Sequence, residues 1–401
     1  MQKLKIAIVG TGIRGAFCFG EIFKKREDAE ITAFCDINLT RAKAAAKILG
    51  ISPNFYSNID DMAEKEQLDA VIITTPDATH HKIAMTALNH GWNVLIDKPI
   101  ATSVKDGLEV IRTAEKSGLT AMIGFNLRHH GVLKRLKQII DDGTLGKVFL
   151  VENREFYDGG RTYMSRWNRL YSVTGGLWIH KGSHDFDVFN WLLGFPKPLR
   201  VTSFAAVNAL NPEGLPFDLE PGHEPGPDCS ECYYQAKCKD KYLLSEQEQL
   251  MWGKEAIAED GYRKNLCMYF SDKDTHDNGI ALVEYENGIK ASHMECFVGA
   301  KSDRLYTVVG DRAFAEVSLD QRTIRITPRW GAEAITYTLP EETGGHGGAD
   351  PALVEAFCKV LRKEIDPGST AEHGLLATAI GQAAELSRRE HRMVEISELL
   401  P

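Results

Sequence analysis

At 401 residues the chain exceeds what one hydrophobic core usually serves, and 43% hydrophobic with 26% charged residues is ordinary for a globular protein, so two domains are expected. The net charge of -9 comes from scattered acids, and Lys and Arg form no basic stripe, which argues against nucleic acid as a partner. The apolar run at residues 6–9 is too short for a secretory leader, and nothing approaches the roughly 18 apolar residues that cross a bilayer, so a soluble cytoplasmic protein without a membrane partner is expected.

From residue 4 to about 124, short β-rich runs alternate with helical stretches, the pattern of a parallel sheet wound by crossover helices. Strands are predicted over 5–9, 31–35, 70–74, 93–96 and 119–123, with helices between them, for example over 40–49 and 81–90. Most of these strands are apolar without alternation, as expected where both faces are covered. After Gly124 the texture changes to a helix over 132–141 and a long alternating strand over 148–157. Two hairpins follow, 280–285 with 289–295 through Glu286-Asn287-Gly288, and 306–309 with 314–317 through Gly310-Asp311. Residues 211–227, with five prolines and three glycines, read as a long loop leading into a cysteine cluster. The fold class is therefore α/β: a doubly wound parallel sheet over 1–124, then a second α/β domain over 125–401 with a mostly antiparallel sheet and a cysteine-containing insertion at about 211–270.

Gly10-Thr11-Gly12-Ile13-Arg14-Gly15 follows the first strand and opens a helical stretch, so its glycines sit where a tight turn lets a pyrophosphate approach backbone N–H groups, the Rossmann arrangement. Asp36, 21 residues after Gly15 at the end of the second strand, can accept hydrogen bonds from both adenosine ribose hydroxyls and would repel a 2′-phosphate. NAD is expected ahead of NADP, with Arg41 the residue that keeps NADP open.

Further motifs follow in order: Thr74-Thr75-Pro76 with His80, Asp97-Lys98-Pro99, Gly124-Phe125-Asn126 with Arg128, Gly175-Gly176 with His184, Asp187 and Trp191-Leu192-Leu193-Gly194, and Gly345-His346-Gly347-Gly348. Together they resemble the TPxxxH, EKP, GFNxR and GGxxxDxGxHxxDxxxWLxG segments of the Gfo/Idh/MocA oxidoreductases, named for glucose-fructose oxidoreductase and inositol dehydrogenase, along essentially the whole chain. The resemblance implies a Rossmann domain, a second domain whose open-faced sheet assembles a homodimer or homotetramer, and a carbohydrate substrate between the two. It also implies that Thr75, Pro76, His80, Asp97, Lys98 and Asn126 line the cofactor with Gly10, Gly12, Ile13, Arg14, Gly15 and Asp36, and that Arg128 faces substrate.

Oxidising a secondary alcohol needs a base for the hydroxyl proton, the hydride being the cofactor's chemistry. Lys98 lies at the carboxyl end of the sheet, where ligands bind in such folds. His184 stands, by resemblance, where the family has its catalytic histidine. The family's usual aspartate four residues earlier is here His180, followed by Lys181; were this run one helix, 180 and 184 would share a face. Lys98, Lys181 and His184 would then form the catalytic set, with neighbouring lysines lowering each other's pKa. His180 could join the substrate site, or both it and Asp187 could simply cap or pack the helix. Tyr163, Arg166 and Trp167 are candidates for sugar recognition, with His346 reaching in from its glycine-rich loop. The three arginines of 161–169 could instead read an anionic substituent, and a solvated loop is the plainer alternative.

Cys229-x2-Cys232-x5-Cys238 begins with spacing suited to a tetrahedral thiolate site that Cys267 could close. Structural zinc is one reading; unbound cysteines, an iron–sulfur cluster or disulfides are the others, and a branch of the resembled family carries a similar insertion. The function expected is an NAD-dependent oxidoreductase acting on a secondary hydroxyl of a sugar, sugar acid or polyol. The alternatives are redox-assisted glycoside hydrolysis with no net NADH and a non-catalytic NAD-binding regulator.

Overall fold

The structure is a computed structural model that describes residues 2–400. Six strands, β1 (Leu4–Val9), β2 (Ala29–Cys35), β3 (Asn54–Tyr56), β4 (Ala70–Ile73), β5 (Asn93–Ile96) and β6 (Ala121–Ile123), form one parallel sheet in the order β3-β2-β1-β4-β5-β6. Strand order reverses between β1 and β4, which opens a crevice at their carboxyl ends. Ile6, Ile8, Ala70, Ile72 and Leu95 are wholly buried, which explains the unbroken apolar runs. The three-residue β3 is too short to stand out in the sequence.

The second sheet has nine strands: β7 (Val148–Phe156), β8 (Pro198–Ala206), β9 (Asn278–Tyr285), β10 (Lys290–Cys296), β11 (Asp303–Gly310), β12 (Ala313–Ser318), β13 (Thr323–Pro328), β14 (Ile335–Thr338) and β15 (Val394–Glu395). Their order is β14-β13-β12-β11-β7-β10-β9-β8-β15, and every neighbouring pair is antiparallel except β7 with β10. Along β9, Gly279, Ala281, Val283 and Tyr285 are buried while Ile280 and Leu282 are exposed, the period-two signature of a sheet covered on one face. The helices Ser183–Leu192 and Ala371–Glu390 cover the inner face, where Tyr285 Oη donates to Asn190 Oδ1 at 2.9 Å and Ser203 Oγ to the Ala384 carbonyl at 2.6 Å.

Two late segments tie the sheets together. The backbone N–H of Val104 donates to Gln382 Oε1 (2.8 Å), and that of Ile123 to the Ser369 carbonyl (3.0 Å), so the long C-terminal helix grips both sheets. The helix Ala349–Leu361 returns to the first sheet, where Leu353, Val354 and Phe357 join a core with Ile6, Phe19 and Phe34. No helix among the described residues is long and apolar enough to cross a membrane.

Candidate active site

The cradle after β1 is built from contacts that only glycine permits. Gly10 has φ +90°, and a Cβ there would lie 2.8 Å from the Thr74 carbonyl carbon; a Cβ on Gly15 would lie 2.0 Å from the Gly10 oxygen. Gly12 is the opposite case, since a Cβ there would meet nothing within 4 Å, and no side chain caps the helix it opens. The cradle is thus closed beneath and free above, the shape a pyrophosphate needs. That first helix, Ile13–Gly20, is wound as a π-helix before passing into an α-turn, and Ile13 is exposed at its start.

Arg14 is held within the protein. Its guanidinium stacks on Phe19 at 4.6 Å, lies 3.2 Å from Asp97 and donates to Asp350 at 2.8 Å. Asp350 also accepts from Asn126 Nδ2 (2.9 Å) and pairs with His346 Nδ1 (2.7 Å). Burial pushes the Asp350 carboxyl up, but His346, Arg14 and Asn126 outweigh it and hold the group well below the usual carboxylate range. The ends of β1, β5 and β6 are thereby pinned to the helix at 349–361. Asn126 Oδ1 is buried without a partner.

Asp36, at the end of β2, accepts from the Thr11 N–H and Oγ1 (2.8 Å each) and from Asn38 N–H (2.9 Å), and pairs with Arg41 at 3.1 Å. The carboxylate is thus fixed over the cradle. His80, expected at the cofactor, is buried, and both its ring nitrogens face backbone carbonyls, Thr75 at 2.9 Å and Pro99 at 2.7 Å. It braces the loops after β4 and β5, so Thr75 and Pro76 are held by it and it presents no nitrogen to the crevice.

Lys98 follows β5, is 9% exposed, and donates to the His180 carbonyl. Burial brings its amine down to about 8, against the pull of Asp77 and Asp97 and with a smaller push from Lys181 and Arg14. Mutual lowering by neighbouring lysines is therefore the lesser cause. It fails for Lys181, whose amine sits 2.7 Å from Glu155; burial lowers it, but that carboxylate holds it above the ordinary lysine value. Lys181 remains charged, under the rings of Tyr157 and Tyr163 at 5.3 and 5.7 Å.

The run 180–187 is not one helix. The short helix Leu177–His180 ends, Lys181 and Gly182 intervene, and a new helix begins at Ser183. His180 and His184 consequently diverge. His180 Nδ1 lies 2.7 Å from Asp77 Oδ2 and its Nε2 2.8 Å from Asn168 Nδ2, with the edges of Tyr163 and Trp167 close by at 5.9 and 5.2 Å. His184 packs edge-on to Phe125 at 6.4 Å, and its Nδ1 has no partner. Burial, then the charge of Lys98, holds both imidazoles well below the usual histidine range, so both are neutral.

Arg128 is corrected by the structure. It forks onto Asp187 (2.8 and 2.6 Å), donates to the Gly368 carbonyl (2.6 Å), and is buried against Phe195, so each guanidinium nitrogen is engaged within the protein and none is offered to substrate. Arg166 stacks on Tyr242 of the insertion at 5.4 Å, while Tyr163 joins a small core with Met164, Met268, Tyr269 and Phe297.

Behind Lys181 lies a buried ionic layer that sequence reading missed. On the inner face of the sheet Asn153 stands between His293 and Tyr306, and Glu155 between Glu295 and Arg304, as cross-strand neighbours on β10, β7 and β11. Arg304 reaches Glu155 at 2.9 Å and Asp185 at 3.2 Å, and Tyr306 Oη donates to Asp185 at 3.0 Å. Ligand atoms of Glu155, Asp185 and His293 lie within 4.8 Å of one another, but Arg304 already supplies the cation there. The signal was available in Asn153-x-Glu155, His293-x-Glu295 and Arg304-x-Tyr306, polar pairs at strand spacing.

All eight cysteines are free. Cys229, Cys232, Cys238 and Cys267 line one cavity of about 20 Å³ with Tyr234 and Phe217, brought together where Cys229 N–H donates to the Asn265 carbonyl at 2.9 Å.

Residues 4–125 match the family model described as "Oxidoreductase family, NAD-binding Rossmann fold", and residues 137–396 match "Oxidoreductase family, C-terminal alpha/beta domain". The chain belongs to the Gfo/Idh/MocA oxidoreductase family. It is 27% identical over 397 residues to YteT of Bacillus subtilis, named an oxidoreductase, with 92% of each chain covered. It is 30% identical over 204 residues to the 2,7-anhydro-N-acetylneuraminate hydratase of Mediterraneibacter gnavus, covering 50% of this chain and 53% of that one. Among solved structures it is similar to the WlbA dehydrogenase of Bordetella pertussis, in complex with NADH and UDP-GlcNAcA, at TM-score 0.71 and 19% identity, covering 98% of this chain and 99% of that one. His180, where the resemblance leads one to expect an aspartate, is a neutral ring bonded to Asp77.

Proposed function

We propose that this protein is an NAD-dependent oxidoreductase that moves a hydride to or from the carbon of a secondary hydroxyl on a sugar, sugar acid or polyol, and that it works in the cytoplasm as a homodimer or homotetramer. The observation that carries the reading is a buried lysine amine brought near neutrality beside two neutral histidines, at the mouth of a glycine cradle open on one side. Gly10, Gly12 and Gly15 with the N–H groups of Ile13 and Arg14 would hold the pyrophosphate, Asp36 the ribose, and Asn126 and the loops at Thr75 and Asp97 the nicotinamide half. NAD supplies the hydride acceptor.

The rest is done by the chain. Lys98, with a pKa near the working pH, accepts the hydroxyl proton, a match that favours general base catalysis. His184, a neutral imidazole with no hydrogen bond within the chain to its Nδ1, would turn its ring to the same oxygen. Lys181, fixed in its charged form by Glu155, orients and polarises the substrate beside Tyr163, Trp167 and His346. The relatives whose names refer to sugar derivatives support a carbohydrate. The test is incubation of the full chain with NAD and a panel of sugars and polyols; NADH absorbance should appear with at least one, and silence across the panel would count against net oxidation.

One relative's hydratase name favours a second reading, in which the same residues oxidise a sugar transiently, eliminate a leaving group, let water add to the double bond so formed, and return the hydride to the carbonyl. Cleavage of a glycoside with no net NADH would establish it. Cys229, Cys232, Cys238 and Cys267 line one cavity, and we propose that they draw together around a structural zinc; about one zinc per chain is expected from elemental analysis, and a metal-free protein with four titratable thiols there would remove it.

A further inference from the structure

The insertion does more than carry cysteines. Its helix Lys254–Asp260 docks on the segment that follows β2, the edge of the crevice where a Rossmann fold meets the adenosine ribose. Asn38 Nδ2 donates to the Ala256 carbonyl at 2.8 Å. The Glu259 carboxylate accepts from the N–H groups of Leu39 (2.6 Å) and Thr40 (3.0 Å), at the start of the helix Leu39–Leu49. Asp260 pairs with Arg41, whose other arm is bonded to Asp36 and whose face rests on Tyr262 at 5.8 Å.

A dinucleotide with a 2′-phosphate needs two things at this edge: a guanidinium near the end of β2 and free N–H groups at a helix start. This chain has both, in Arg41 and in Leu39 and Thr40, and both are already engaged by carboxylates delivered from more than 200 residues away in the sequence. Asp36, Glu259 and Asp260 set three carboxylates against one guanidinium. An incoming phosphate would have to displace anions and face the repulsion of those that stayed. Asp36 alone would disfavour NADP, but with Arg41 free it could be offset.

We infer that Glu259 and Asp260 are specificity-determining residues that occupy the 2′-phosphate position from within the chain, so that the insertion selects NAD over NADP. The inference rests on the NAD reading above and deepens it. Calorimetry on the full chain separates the two. The wild type should bind NAD and bind NADP about 100-fold more weakly, as juxtaposed like charges dictate. In Glu259→Gln/Asp260→Asn, with Asp36 kept, NADP should tighten about tenfold while NAD affinity changes less than about threefold, because only the charge opposite the phosphate is altered. The same variant should gain affinity for adenosine 2′,5′-bisphosphate and not for 5′-AMP. Where the double variant does not fold, Glu259→Gln alone carries the test, with a smaller gain in the same direction. An unchanged NADP to NAD ratio in a variant that still binds NAD would overturn this inference and leave the NAD assignment standing; a wild type that binds neither dinucleotide would overturn both.

Discussion

Strands β1, β4 and β5 bury hydrophobic side chains on both faces, whereas β7, β10 and β11 turn Asn153, Glu155, His293, Glu295 and Tyr306 toward a buried inner face, and β8 and β9 leave Phe204, Ile280 and Leu282 in the open. The first sheet is a shape: its glycine-rich and charged positions sit on the loops at its strand ends, in Gly10 to Gly15, Asp36, Asp97 and Lys98. The second sheet is an electrostatic frame, in which each buried charge stays only because a partner is in reach. A cofactor common to many substrates suits the first construction. Positioning one lysine and one substrate suits the second.

The sharpest way to break this division is at Lys98, where the two halves meet. Lys98→Met should lower turnover by about 10³-fold and His184→Ala by about 10²-fold, with NAD affinity by calorimetry nearly intact. The pH profile gives an independent readout. Lys98 must be unprotonated to take the hydroxyl proton, so the rate of oxidation should climb as pH rises through about 8 and level above it, and the climb should vanish in Lys98→Met. A profile that keeps its shape in that variant would move the base elsewhere.

The next test sets the sheets against each other. Glu155→Gln leaves Lys181 and Arg304 with weakened pairing in a buried layer and should cost about 3–5 kcal/mol in urea unfolding. Ile72→Val, at the fully buried centre of the first sheet, removes one methylene and should cost only about 0.5–1.5 kcal/mol. Equal losses would mean that the ionic layer is no more demanding than the apolar one. Glu155→Gln should also shift Lys181 downward, because the carboxylate that holds its proton is neutralised.

What the sequence discloses follows the same division. The parallel sheet, its cradle and Asp36 are legible because they depend on local patterns: apolar runs, glycines at fixed spacing, an acid at a strand end. Lys98 and His184 are picked out as candidates in large part by resemblance. The roles of Arg128, His80 and Lys181 are not legible, because each is decided by a residue distant in the chain: Asp187 for Arg128, the Pro99 carbonyl for His80, Glu155 for Lys181. The break at Gly182 that parts His180 from His184 is likewise invisible to helical spacing, which continues through it. Glu259 and Asp260 belong to no motif, and only the fold brings them to Leu39, Thr40 and Arg41.

The smallest effect on the fold, and a separate effect on assembly, belongs to the outer face of the second sheet. Phe204 is 77% exposed, with Ile280 and Leu282 beside it on the adjacent strand, an apolar patch larger than scattered surface residues produce. Phe204→Asp removes no buried contact within the chain, so its cost to unfolding of the isolated chain should stay within about 0.5 kcal/mol. If the open face joins subunits, the same substitution places a charge in an apolar interface, and light scattering should fall from the mass of an oligomer to 44.6 kDa. A variant that keeps its oligomeric mass would show that subunits meet elsewhere, and would return the exposed face to the list of surfaces that the ionic frame merely leaves behind.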